Sequence, residues 1–188
     1  MAFLPSGIGS QIEWWWKLIK ERLRKRLSSY WKMEVGNALL LPAFMVFACS
    51  SLDQPMSWWL AFACLPMCGL LVLGGLYWRA KLHQLGGQSE TLKSFLPMAD
   101  KWQVPLAALS ALAVAVAAGA WLLDLGASTG DTVCITVAAV LAGLEYINYY
   151  HRQLQHFDHP ADFKRLMSGR GFARAQMAVD LAKFRRKS

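Results

Sequence analysis

Glu145, Asn148, Tyr149 and Arg152 recur at offsets of three, four and seven residues, which sets a carboxylate, an amide, a phenol and a guanidinium on one face of a helix. His151 adds an imidazole beside them. Such a group could pass a proton, hold a charged ligand, or act as acid and base on a lipid. The setting matters more than the set, because these residues close an apolar run at 131–150. Counted from residue 131, helical rise carries Glu145 about 21 Å along the run. An ionisable side chain at that depth in a membrane is a functional candidate and needs a partner. Arg79 and Arg152 are the candidates for that partner. The plainer reading, which is preferred, is an interfacial cluster that fixes the depth of the helix and ties it to its neighbours.

Other chemistry-bearing residues point to less. His156 and His159, with Asp158 and Asp162, resemble a metal set in composition only, since Pro160 interrupts the helix their spacing would need. Neither His-Glu-x-x-His nor Glu-x-x-His occurs, and His83 lies in another segment. No metal or cofactor is expected. Cys64 and Cys68 are four residues apart, which is not the Cys-x-x-Cys spacing of redox or zinc sites. Cys49 and Cys134 both lie towards the outer side, so a bridge is geometrically open, though it is not expected. The expectation is that all four behave as small apolar residues. Gly86-Gly87 lacks the strand, lysine and spacing of a phosphate loop, and no nucleophile elbow is present. No catalytic residue is assigned.

The elements that would position these residues are four apolar runs at about 36–52, 58–78, 102–125 and 131–150. Each approaches the roughly 17–25 residues needed to cross a bilayer. The expected fold class is all-α, an integral membrane four-helix bundle with an amphipathic N-terminal helix and a basic helical tail. Its parts are residues 1–35, the bundle at 36–152, and a tail at 153–188. Charge then orients it. Of the 20 Lys and Arg residues, seven precede the first run, four lie in the loop 79–101, and nine follow residue 150. The turns 53–56 and 126–130 have none. Because basic flanks of short loops stay inside, both termini are expected in the cytoplasm, and the inner membrane of a bacterium is the expected location. Trp58, Trp59 and Trp121 would line one interface, and Trp31, Tyr77, Trp78, Trp102, Tyr149 and Tyr150 the other.

Within the membrane, close backbone approach must replace the hydrophobic effect. Ala107, Ala111, Ala115 and Gly119 repeat every four residues, and Ala138, Ala139, Ala142 and Gly143 answer in the last run. The expectation is that these two helices pack through those stripes; self-association is the alternative use. Pro42 and Pro66 interrupt the first two runs. The halves do not match as the repeats of a symmetrical transporter would.

Ahead of the first run, Ile12, Trp16, Ile19, Leu23, Leu27 and Tyr30 share one helical face, with Lys17, Arg24, Lys25 and Arg26 elsewhere around the helix. With Trp15 and Trp16 at its edge, this helix is expected to lie in the plane of the inner leaflet against anionic headgroups. Docking on a partner through the same face is the alternative. In the tail, His159-Pro160 marks a helix start running to about Ser168, and a second helix is expected over 172–186, with Arg185 and Arg186 at its basic end. A net charge of +8 without a nucleic-acid motif leaves topology as its explanation; no nucleic-acid partner is expected. The residues point first to an accessory, assembly or scaffold component of a membrane complex. A small transporter or channel using the kinked spans and Glu145, or a membrane-embedded lipid-modifying enzyme, are the alternatives.

Overall fold

A helix that lies on the membrane and then enters it must break between the two parts, near Gly36. The computed structural model, which describes residues 6–154 and 172–186, has no break there: one helix, α1 (Ser6–Ser51), runs through. Its 46 residues extend about 70 Å at 1.5 Å per residue, roughly twice the thickness of a hydrocarbon core. The amphipathic segment expected ahead of the first span is thus the first half of a long, continuous helix. The physical reason is packing. A lone Gly36 in a helix costs about 1 kcal/mol. Burying Leu27 returns about 1.5–3 kcal/mol, and Tyr30 rests on Trp78 with ring centroids 5.8 Å apart.

Four more helices follow among the described residues: α2 (Trp58–Leu85), α3 (Glu90–Leu122), α4 (Thr129–Tyr150) and α5 (Gln176–Arg185). The first four are long and apolar enough to cross a membrane, so the chain is an all-α, multi-pass membrane bundle. α2 packs on α1, α3 and α4, and buries Leu60, Ala63, Met67, Leu70, Leu73 and Tyr77. The turns 52–57 and 123–128 close one end of the bundle, the turn end; the start of α1, the turn 86–89 and α5 belong to the other, the tail end.

The turn end is stapled by polar contacts. After α1, Asp53 takes a left-handed conformation (φ 49°), and the bonds Gln54 N to Cys49 O and Asp53 N to Ser50 O complete a Schellman stop. Ser128 caps α4 by accepting from Asp131 N at 3.1 Å. The Asp131 carboxylate accepts from Ser57 Oγ at 2.6 Å and Ala127 N at 2.9 Å, and Ser128 Oγ donates to Pro55 O at 3.0 Å. These contacts join the two turns.

At the tail end, the long loop expected over 79–101 contracts to residues 86–89. Gly87 (φ 92°) makes the stop of α2, with Gln88 N bonded to His83 O and Gly87 N to Gln84 O. α3 starts at Glu90, so Asp100 lies inside α3, where it pairs with Arg185 at 2.5 Å. The packing face of α3 also differs from expectation. Leu106, Ser110, Ala113, Ala117 and Ala120 are buried, whereas Ala111 and Ala115 are exposed and Ala107 is half-buried. Gly119 is half-buried against Leu125, and nothing approaches the Gly143 α-carbon closely enough to meet an added Cβ. On α4, Ala138, Ala139 and Ala142 are buried as expected of a close helix contact. The buried face of α3 is thus turned well away from the four-residue stripe, since both candidate faces of that helix are equally apolar.

α5 starts at Gln176, later than the expected 172, because residues 173–175 run alongside 151–153: Gln153 N bonds to Ala173 O and Ala175 N to His151 O. Met177 and Leu181 enter the core of the bundle. The tail helix expected from His159 to Ser168 lies outside the described residues, as do His156, Asp158 and Asp162.

Candidate functional site

The tail end of α4 places Tyr149 and Tyr150 towards the bundle interior, 2% and 5% exposed. Both had the composition of a lipid-interface belt; their hydroxyls instead find partners inside the protein. Tyr150 Oη donates to Ala99 O at 2.8 Å. Tyr149 Oη donates to Glu34 Oε1 at 2.5 Å, which links α4 to α1. Glu34 itself is 5% exposed. Burying an ionisable carboxyl without a hydrogen bond would be costly, and the phenol supplies that bond.

Two glycines make the contact sterically feasible. A Cβ added at Gly74 would fall inside the Tyr149 ring, and one at Gly75 would strike Val35 and the Trp31 carbonyl. Gly74-Gly75 is therefore where α1, α2 and α4 converge, each glycine admitting a different neighbour.

A second tyrosine–carboxylate pair lies alongside. Tyr77 on α2, fully buried, donates to Asp180 on α5 at 2.8 Å, and Lys81 Nζ reaches the same oxygen at 3.1 Å. Between the pairs is a cavity of about 20 Å³ lined by Tyr77, Trp78, Asn148, Tyr149, Gln153, Gln176 and Met177. That volume suits one water molecule.

Of the residues expected to act with Glu145, Asn148 alone bonds to it. Asn148 Nδ2 donates to Glu145 Oε2 at 3.3 Å, and its Oδ1 accepts from Leu154 N at 2.9 Å. Arg152 turns outward and donates to Phe172 O at 3.1 Å, and Arg79 lies over the Trp31 ring, 5.7 Å from its centroid. Neither arginine pairs with Glu145 among the described residues. His151 is exposed, its ring 5.4 Å from that of Tyr146. Arg185 is bound to Asp100 and Gln103, while Arg186 is exposed. Of the expected cluster, Tyr149 alone takes part in a buried linkage between spans, and its partner Glu34 was not among the expected residues. The available signal was an acidic residue between Met33 and Val35 at the margin of a span, in a segment otherwise rich in basic residues.

A larger opening lies elsewhere. α2 continues past Trp78 beside the first half of α1, and between them is a cleft of about 830 Å³ lined by Lys17, Lys20, Glu21 and Arg24 on one side and Leu82, His83, Leu85, Gly86 and Gln88 on the other. The apolar stripe of α1 is covered by α2 at Leu27 and left bare at Leu23, Ile19 and Trp16. Trp14 and Trp15 are exposed beside it, and Lys25 is exposed while Arg26 bonds to Tyr30 Oη at 2.7 Å. Comparison of the chain with protein-family models, with curated proteins and with solved structures gives no match.

Proposed function

We propose that the protein is an accessory or scaffold component of a membrane complex and engages its partner through the arm formed by the first half of α1 and the end of α2. The arm faces the cytoplasm, and the membrane is a bacterial inner membrane. The placement of all 20 basic residues away from the two short turns supports that orientation.

One observation carries the reading. A single amphipathic stripe is packed at its Leu27 end and bare over Leu23, Ile19 and Trp16, next to a cleft bearing Lys17, Lys20 and Arg24. Exposed apolar surface rimmed by charge marks an interaction site. The chemistry fits a partner that brings apolar side chains to the stripe and carboxylates to the cleft; anionic headgroups of the inner leaflet offer the same charge to the exposed Arg186. Glu145 bonds to Asn148 on its own helix and pairs with neither Arg79 nor Arg152, which favours this reading over transport or lipid chemistry at that carboxylate.

The test is purification from native membranes in mild detergent, followed by native electrophoresis and identification of co-migrating chains. The expected result is a large assembly for the wild type that dissociates when Trp16 and Ile19 are changed to serine or Lys17 and Lys20 to glutamate. The variants should remain in the membrane. A wild-type monomer or small homo-oligomer overturns the proposal.

A further inference from the structure

Cys49 and Cys134 come from helices separated by 85 positions in sequence, and their sulfurs lie 3.8 Å apart. The other two cysteines are engaged differently: Cys64 Sγ faces Met45 Sδ at 3.9 Å and Cys68 Sγ donates to Ala38 O at 3.3 Å. Cys49 stands two residues before the end of α1, and Cys134 five residues after the start of α4, so the pair is within about two helical turns of the turn end. In the orientation proposed above, on which this inference rests, that end faces the oxidising side of the membrane, where disulfides persist.

We propose that Cys49 and Cys134 are a site of oxidative modification, joined by a disulfide that clamps α1 to α4 at the turn end. Bond formation requires the sulfurs to close from 3.8 Å to about 2.05 Å, an approach within reach of side-chain rotation. The oxidant is a disulfide-bearing molecule of the outer compartment. Cys134, half-buried, is the accessible sulfur, whereas Cys49 is 2% exposed. The Cys134 thiol gives up its proton and attacks the oxidant disulfide, forming a mixed disulfide and releasing one thiol. Cys49 then loses its proton and attacks Cys134 Sγ, expelling the second thiol. Two thiols are oxidised, one disulfide is reduced to a dithiol, and both protons are taken up by the departing sulfurs.

The clamp has a structural consequence. α1 packs mainly on α2 and touches α4 little. Among the described residues, its side-chain polar links to α4 are Cys49 with Cys134 at one end and Glu34 with Tyr149 at the other. A disulfide makes one of the two ends of this seam permanent.

The experiment is acid trapping of thiols in intact cells, followed by unfolding and alkylation with a mass-tagging maleimide, with and without prior reduction. The wild type should show two masked thiols of its four cysteines, released by reductant. C49S and C134S should each expose the partner, and the double variant C64S/C68S should retain the masked pair. Alanine serves where serine prevents insertion. In parallel, Ser51→Cys and Gln88→Cys, each in a chain without native cysteines, are exposed to an impermeant maleimide on intact cells. Four free thiols with Ser51→Cys labelled from outside overturns the disulfide alone. Labelling of Gln88→Cys instead overturns the orientation, and the disulfide with it.

Discussion

Tyr149 on α4 reaches Glu34 on α1 over the face of α2, donating a 2.5 Å hydrogen bond through the space that Gly74 leaves. Without this bond the Glu34 carboxyl would be buried with no hydrogen bond between spans to offset its desolvation. The pair converts two residues of interfacial composition into an internal link between the first span and the last.

Removing the phenolic hydroxyl should show the worth of the link. Tyr149→Phe leaves Glu34 buried without its donor, at a cost of about 1–3 kcal/mol. Glu34→Gln keeps an acceptor for Tyr149 and should cost less. Thermal unfolding in detergent, read by tryptophan fluorescence, should rank the wild type above Glu34→Gln and Glu34→Gln above Tyr149→Phe. The double variant should lose less than the sum of the two.

Gly74→Ala should disturb the same contact from the other side. The added methyl occupies the position of the Tyr149 ring, and overpacking of this kind costs about 1–3 kcal/mol. Because the clash is with one side chain, Tyr149→Ala should partly rescue Gly74→Ala. The check is the same melting measurement on the two single variants and the double. A fully additive loss would mean that Gly74 matters to something other than Tyr149.

How much of this was legible in the sequence depends on what each residue must contrast with. The four spans were readable because polar turns interrupt long apolar runs. The buried face of α3 was not readable: Ala111 and Ala115 on one side and Ala113 and Ala117 on the other are identical in type, and lipid is as apolar as the core, so amphipathicity gives no direction. Tyr77, Tyr149 and Tyr150 carried the same ambiguity, since a tyrosine at a span end suits either headgroups or a buried acceptor. Continuity through Gly36 was hidden for another reason. It depends on the end of α2 accompanying α1 beyond the spans, a tertiary fact that periodicity in one segment does not contain.

At the turn end, Asp131 should be more costly to lose than its individual partners. Its carboxylate holds Ser57 and the Ala127 amide, and its own amide is capped by Ser128. Asp131→Ala leaves two donors from separate turns without an acceptor, an expected loss of about 2–3 kcal/mol. Ser57→Ala removes one neutral donor and should cost about 1 kcal/mol. Melting temperatures in detergent provide the comparison, and hydrogen exchange over residues 123–135 should rise in Asp131→Ala more than in Ser57→Ala.

Docking of α5 should depend on Asp180 more than on the apolar residues beside it. Met177 and Leu181 favour burial on any apolar surface, whereas the Asp180 carboxylate must meet Tyr77 Oη and Lys81 Nζ together. Asp180→Ala leaves the fully buried Tyr77 hydroxyl without an acceptor and the Lys81 ammonium, 20% exposed, without its counter-ion. Asp180→Asn keeps an acceptor for Tyr77 and loses only the charge. Partial exposure of Lys81 reduces the ion pair's share, so the alanine variant should be affected substantially more than the asparagine variant. Trypsin at Arg174 and Lys183 reads the open state of this segment, and a loss of about 1.4 kcal/mol in docking raises cleavage about tenfold where opening is fast. Arg185→Ala, which releases Asp100 and Gln103, should raise cleavage at the same two sites while leaving Tyr77 paired. Equal cleavage rates for Asp180→Ala and the wild type would show that the Asp180 contacts do not hold α5.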